Sequence, residues 1–164
     1  MKITDVKVTV WEWKDIPPTR YTLQARSAAN RSAHMALVRI ITDEGIEGHA
    51  FLGHALGALG TDADLIVKRY KPMLIGQDPL ARERIYQRMS TFAMGGILRV
   101  IGAIDVALWD LAGKAAGIPI HRLMGSYRDT VPAYASSAVF ENTEEYAEEA
   151  VRYKEAGWSA YKIH

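Results

Sequence analysis

Residues 97–125 read ILRVIGAIDVALWDLAGKAAGIPIHRLMG, and this stretch decides the fold. Ile97, Ile101, Ile104, Leu108, Leu111 and Ala115 recur at alternating steps of four and three, which on a helix lines them into one apolar stripe. Gly117 and then Pro119 end it, because glycine takes the left-handed conformation that closes a helix and proline cannot continue one. The spacing predicts a long amphipathic helix whose stripe needs a partner layer. Upstream, Thr61 or Asp62 can cap a helix running to about Met73, and Asp78-Pro79 begins another through Ala81, Ile85 and Met89. The middle of the chain is therefore expected to be a helical bundle.

The partner layer lies further upstream. Residues 3–13 carry Ile3, Val6, Val8, Val10 and the pair Trp11 and Trp13 at mostly alternating positions, which predicts a strand. Residues 35–42 repeat the pattern, Asp43-Glu44-Gly45 supplies turn chemistry, and residues 46–50 return antiparallel. Two segments interrupt this small sheet. Residues 15–31, with Pro17-Pro18, Arg20 and Tyr21, are too long for a hairpin and too irregular for a helix, as mobile lids often are. Residues 51–60 hold three glycines and His54, but lack the GK[ST] ending or the GxGxxG spacing of a phosphate loop.

Downstream the rhythm changes. Residues 131–137 predict a strand, residues 143–156 a helix capped by Thr143 and closed by Gly157, and residues 159–164 a second strand. Tyr146 stands where a capping box would have Glu, while Glu144 and Glu145 in the first turn suit the helix dipole. A strand, a crossover helix and a parallel strand announce an α/β layer distinct from the opening segment.

Composition narrows the function. The chain has 164 residues, about half of them apolar, a net charge of +1 and no cysteine. Disulfides and thiolate metal sites are excluded. No Lys/Arg cluster suggests nucleic acid, no apolar run is long enough to span a bilayer, and the opening MKITDVKVTVWEWK lacks the layout of a secretory signal. These traits lead us to expect a cytosolic protein without nucleic-acid or membrane partners.

Residues 103–125 follow the order AIDxALWDLxGKxxGxPxxxLxG and closely resemble the signature helix of the mandelate racemase and muconate-lactonizing family of the enolase superfamily. The resemblance implies an α+β capping domain, a three-stranded antiparallel sheet plus helical bundle over residues 1–126, followed by the start of a (β/α) barrel over residues 127–164. A whole barrel takes roughly 250 residues, so the chain is expected to be the first portion of a longer enzyme. Resemblance further implies Mg²⁺, held by carboxylates downstream of residue 164, a small carboxylate substrate such as a sugar acid, and a homo-oligomer. The implied chemistry is abstraction of a proton α to a carboxylate through an ene-diolate, with acid-sugar dehydration as the expected outcome. Racemisation, epimerisation or cycloisomerisation share the same first step, and a non-catalytic fragment is the competing class.

Side chains alternate along a strand, so Lys162 and His164 share one face and Tyr161 and Ile163 the other. Lys162-Ile-His164 stands where the family usually has Lys-x-Lys. Resemblance makes Lys162 the contact to the substrate carboxylate and His164 the base that takes the α-proton; His or Lys as the base is also the general rule for this superfamily. An imidazole ordinarily titrates near ~6.5, so it is a neutral base at pH 7 with less tuning than an amine. As residues alone, the pair reads equally as the solvated end of a strand. Tyr21 and His54 are the candidate substrate contacts from the two loops, although surface positions are the blander reading of both. Asp105 and Asp110 diverge on their helix and read as structural, as do His34, His49 and His121. The four tryptophans read as core or interdomain packing.

Overall fold

Apolar alternation near the start of the chain resolves into three antiparallel strands in the order β1 (Ile3–Trp13), β2 (Ala33–Thr42) and β3 (Glu47–His54). The computed structural model describes residues 1–14, 33–54, 59–91 and 98–164, so residues 15–31, with the lid expected there, fall outside the described residues. The chain divides into two units, one formed by Met1–Trp13 with Ala33–Ser126 and another containing Tyr127–His164.

In the first unit Val6, Ala36, Val38, Ile40, Ala50 and Leu52 are buried on one face of the sheet. Ile3 and Val6 are both buried although strict alternation would put them on opposite faces. A register shift between Ile3 and Asp5 resolves this, since a bulge turns the strand by one residue. The Asp5 carboxylate accepts the Val6 N–H at 2.8 Å and pairs with Lys71 at 2.5 Å, which holds its carboxyl below the ordinary range. The β2–β3 turn falls at the expected residues, with Gly45 at φ 77°. β3 extends beyond the predicted Ala50 to His54, pairing with β2 as far as His34.

The helices are α1 (Leu59–Leu65), a π-helical turn (Ile66–Tyr70), α2 (Lys71–Leu74), α3 (Arg82–Ser90), α4 (Leu98–Ala116) and α5 (Ile120–Leu123). Asp62 does not cap α1 but lies within it, buried, with Arg99 of α4 bonding both its oxygens at 2.7 Å. Asp78 caps only a turn, its carboxylate accepting the Leu80 N–H at 2.9 Å, and α3 starts at Arg82. α4 buries Ile101, Ile104, Leu108 and Leu111 of its predicted stripe, while Ala115 is exposed and Ile97 lies outside the described residues, and Gly117 terminates the helix at φ 67°.

α4 also seals the free edge of β3, as an exposed edge invites unwanted pairing. The Asp110 carboxylate accepts the His49 N–H at 2.8 Å, and one helical turn on, Lys114 Nζ donates to the Glu47 carbonyl at 2.9 Å. Lys114 also contacts His49 Nδ1 at 2.8 Å, and Glu47 takes Arg39 at 2.8–3.0 Å, the guanidinium lowering the Glu47 pKa. Asp110 is thus structural, as expected. At Asp105, half-buried on the same helix, burial pushes the carboxyl up, with Arg82 opposing and Glu83 adding. A raised carboxyl contributes stability at low pH that is lost as pH climbs through the shifted value. Asp105→Asn is therefore expected to gain stability over the parent from acid to neutral pH, measured as urea midpoints at several pH values.

In the second unit β4 (Ala135–Ser136) and β5 (Tyr161–Lys162) pair in parallel, joined by α6 (Thr143–Glu155). The strands are shorter than predicted. Val131 is 75% exposed and Tyr134 is 53% exposed, and no strand lies opposite either among the described residues. The cap of α6 is Asn142 rather than Thr143: its side chain accepts the Glu145 N–H at 2.9 Å and donates to the Glu145 carboxylate at 2.8 Å. Asn142→Ala should weaken this end by about 1 kcal/mol, seen as about fivefold faster amide exchange at Glu145. Gly157 closes the helix at φ 87°, as expected. Trp11 and Trp158 are 46% and 41% exposed, so of the two expected roles, core or interdomain packing, neither fills the first.

Candidate active site

The parallel ladder places Ser136 beside Lys162. Lys162 Nζ lies 5.9 Å from the Tyr134 ring centroid, and His164 Nε2 lies 2.7 Å from Ser136 Oγ. Lys162 and His164 thus meet side chains two residues apart, Tyr134 just before β4 and Ser136 within it, so both basic side chains stand on one face, as the alternation predicts. The opposite face carries Ala135, Ser137 and Tyr161; Ala135 and Ser137 are buried, and the Tyr161 hydroxyl donates to Glu149 of α6 at 2.8 Å. Burial and the Glu149 carboxylate push the Tyr161 phenol up to about 12, so it stays protonated at neutral pH. Ile163 remains 63% exposed instead of packing on the helix.

His164 lies beyond the last paired residue of β5, yet three hydroxyls hold it. Its N–H donates to Ser137 Oγ at 3.0 Å, its carbonyl accepts from the Tyr146 hydroxyl at 3.0 Å, and its ring meets Ser136. Tyr146 is itself set by the Phe140 N–H, which donates to its oxygen at 3.1 Å, and by edge-to-face packing on Phe140 at 5.0 Å between centroids. Backbone and imidazole are thereby each held by a hydroxyl group. Ser136, Ser137 and Tyr146 were missed as site residues. Alternation along residues 131–137 separates Ser136 from Ser137, but only the register of the ladder puts Ser136 on the face of Lys162, and Tyr146 registered only as a defective cap.

Tyr21 lies outside the described residues. His54 is the last residue of β3, its backbone paired with His34, and not a residue of the expected loop. Among the described residues no group of three or more His, Asp or Glu side chains is placed to hold a metal ion. No helix among them is long and apolar enough to cross a membrane.

A solved structure of an enolase-superfamily member from Polaromonas sp. JS666 superposes with a TM-score of 0.80 at 32% identity, covering 100% of this chain and 44% of that one. The fold is thus the N-terminal portion of an enolase-superfamily enzyme, capping sheet and helices followed by the start of the barrel. Residues 3–125 match the model of the mandelate racemase / muconate lactonizing enzyme, N-terminal domain, and the chain belongs to that family. The D-xylonate dehydratase of Haloferax volcanii is 38% identical over 137 residues, 77% of this chain and 32% of its own length. The D-galactarolactone cycloisomerase of Agrobacterium fabrum is 33% identical over 99% of this chain and 44% of its own. The chain therefore spans between a third and a half of the length of these relatives.

Proposed function

We propose that the complete protein removes the proton α to a carboxylate of a small acid, and that acid-sugar dehydration is the overall reaction. The observation that carries this is the placement of Lys162 and His164 on one face of the ladder, away from the covering helix. In this scheme the Lys162 ammonium pairs with the substrate carboxylate and stabilises the charge that develops there. His164 takes the α-proton as a neutral imidazole. The bond to the β-hydroxyl then breaks, and the hydroxyl leaves as water with a proton equivalent to the one His164 took, so that the imidazole returns to its neutral form and water is the only by-product. Tyr21 and His54 are assigned to substrate contacts from the capping portion.

Mg²⁺ belongs to the proposal as the charge that stabilises an ene-diolate, held by residues of the longer polypeptide. Screening the complete gene product against acid sugars, with Mg²⁺ and with chelator, tests the scheme; turnover unaffected by chelator would remove it. The 164-residue chain alone is expected to show no stoichiometric Mg²⁺ binding by calorimetry. Cycloisomerisation is the second reading, supported by the name of a relative that aligns over 99% of this chain. The product decides between the two, because dehydration loses water and isomerisation keeps the mass. We further propose that the protein works in the cytoplasm as a homo-oligomer.

A further inference from the structure

We propose that the first unit carries a binding site for a short-chain aliphatic carboxylate, in a cavity between α2 and α3 where buried apolar side chains adjoin two unpaired guanidiniums. The cavity has a volume of about 90 Å³. Leu74, Ile85 and Met89 line it and are buried, so its floor is apolar. Arg84 and Arg88 line it too, exposed and one helical turn apart on α3. Among the described residues neither guanidinium has an ion pair or a hydrogen bond. Two like charges at that spacing repel, and an anion shared between them relieves the repulsion. A guanidinium offers a planar fork of N–H donors that fits both oxygens of a carboxylate. The Gln77 side-chain amide is a third donor on the lining, also without a partner among the described residues. Its backbone is pinned to β1: the Gln77 carbonyl accepts the Ile3 N–H at 3.0 Å, and the Gly76 N–H donates to the Ile3 carbonyl at 2.8 Å. The sheet therefore sets this rim before any ligand arrives, which lowers the cost of binding.

The distribution of polarity selects the ligand class. The cavity is larger than one water needs and smaller than the ~300 Å³ at which sites for larger ligands begin, so it suits a short alkyl chain. Its floor gives no partner to a hydroxyl, and burying one unpaired is costly. A sugar acid carries hydroxyls along its length and inorganic phosphate carries oxygens on every side, so both would leave oxygens unpaired there. An alkyl carboxylate has its oxygens at one end only. The site thus rejects the acid sugars assigned to Lys162 and His164, and its occupancy does not depend on that reading.

Methyl-labelled methionine in the complete protein reports occupancy directly, because Met73 and Met89 both line the cavity. Their NMR signals are assigned by loss in Met73→Leu and Met89→Leu. Titration with sodium isovalerate at fixed ionic strength is expected to shift both signals saturably, with a midpoint of about 10 mM or below, ordinary for a ligand of so few atoms. Sodium gluconate and sodium phosphate over the same range should leave them in place. Arg84→Ala and Arg88→Ala, at exposed positions, should each keep the fold by circular dichroism and raise the midpoint about fivefold, the worth of a charge-assisted hydrogen bond beside solvent. A linear drift without saturation, equal shifts with gluconate or phosphate, or an unchanged midpoint in both arginine variants would each overturn the proposal.

Discussion

Replacing His164 with asparagine in the complete enzyme is expected to lower kcat for α-proton exchange by about 10²–10⁴-fold, the usual contribution of a positioned general base. Asparagine keeps much of the shape and polarity of the ring and loses only the basic nitrogen. The loss should therefore fall on kcat, with KM moving little, because the carboxylate contact assigned to Lys162 is untouched. Incorporation of deuterium from solvent into the substrate, followed by NMR, isolates the step from any later elimination. Lys162→Met is expected to behave differently, raising KM as well as lowering kcat, since the charge it removes is used in binding and in the transition state alike. Exchange in His164→Asn within about tenfold of the parent, below the range for such a base, would mean that another group takes the proton.

The second large effect concerns the docking of α4. Gly48→Ala is expected to destabilise the first unit by about 3 kcal/mol or more, at the upper end of overpacking costs. A Cβ there would stand 2.0 Å from the Ala107 carbonyl oxygen and 2.8 Å from Leu111 Cβ. Neither is the end of a flexible side chain, so relief requires moving the helix off the strand. Such a shift would also break the Asp110 bond to the His49 N–H and the Lys114 bond to the Glu47 carbonyl, reopening the sheet edge. For a protein of this size the melting temperature should fall by about 6–12 °C, measured by circular dichroism. Gly102, within α4, is the control: a Cβ there meets nothing within 4 Å. Gly102→Ala should stabilise by about 0.5–1 kcal/mol, because glycine inside a helix is entropically costly.

Much of the fold was legible along the chain. The α4 stripe, the β1–β2 alternation, the Gly45 turn and the Gly157 stop each follow from contacts or backbone preferences within a few residues. Errors gathered where a residue's partner lies far away. Asp62 looked like a helix cap, but its carboxylate serves Arg99, which no local pattern foretells. Thr143 looked like the cap of α6, whereas the extended Asn142 beside it does that work and frees Tyr146 to reach His164.

For the candidate site the division is similar. Alternation alone determined that Lys162 and His164 share a face, since a pleated strand leaves no other choice. The signature over residues 103–125 determined the family, and with it the class of chemistry to consider. Only the tertiary structure decided that Ser136, Ser137 and Tyr146 close around His164, that a bulge at Asp5 returns Val6 to the core, and that Gly48 must stay bare beneath α4. Each of these depends on two segments meeting at a particular register and distance, and periodicity within one segment carries no information about the other.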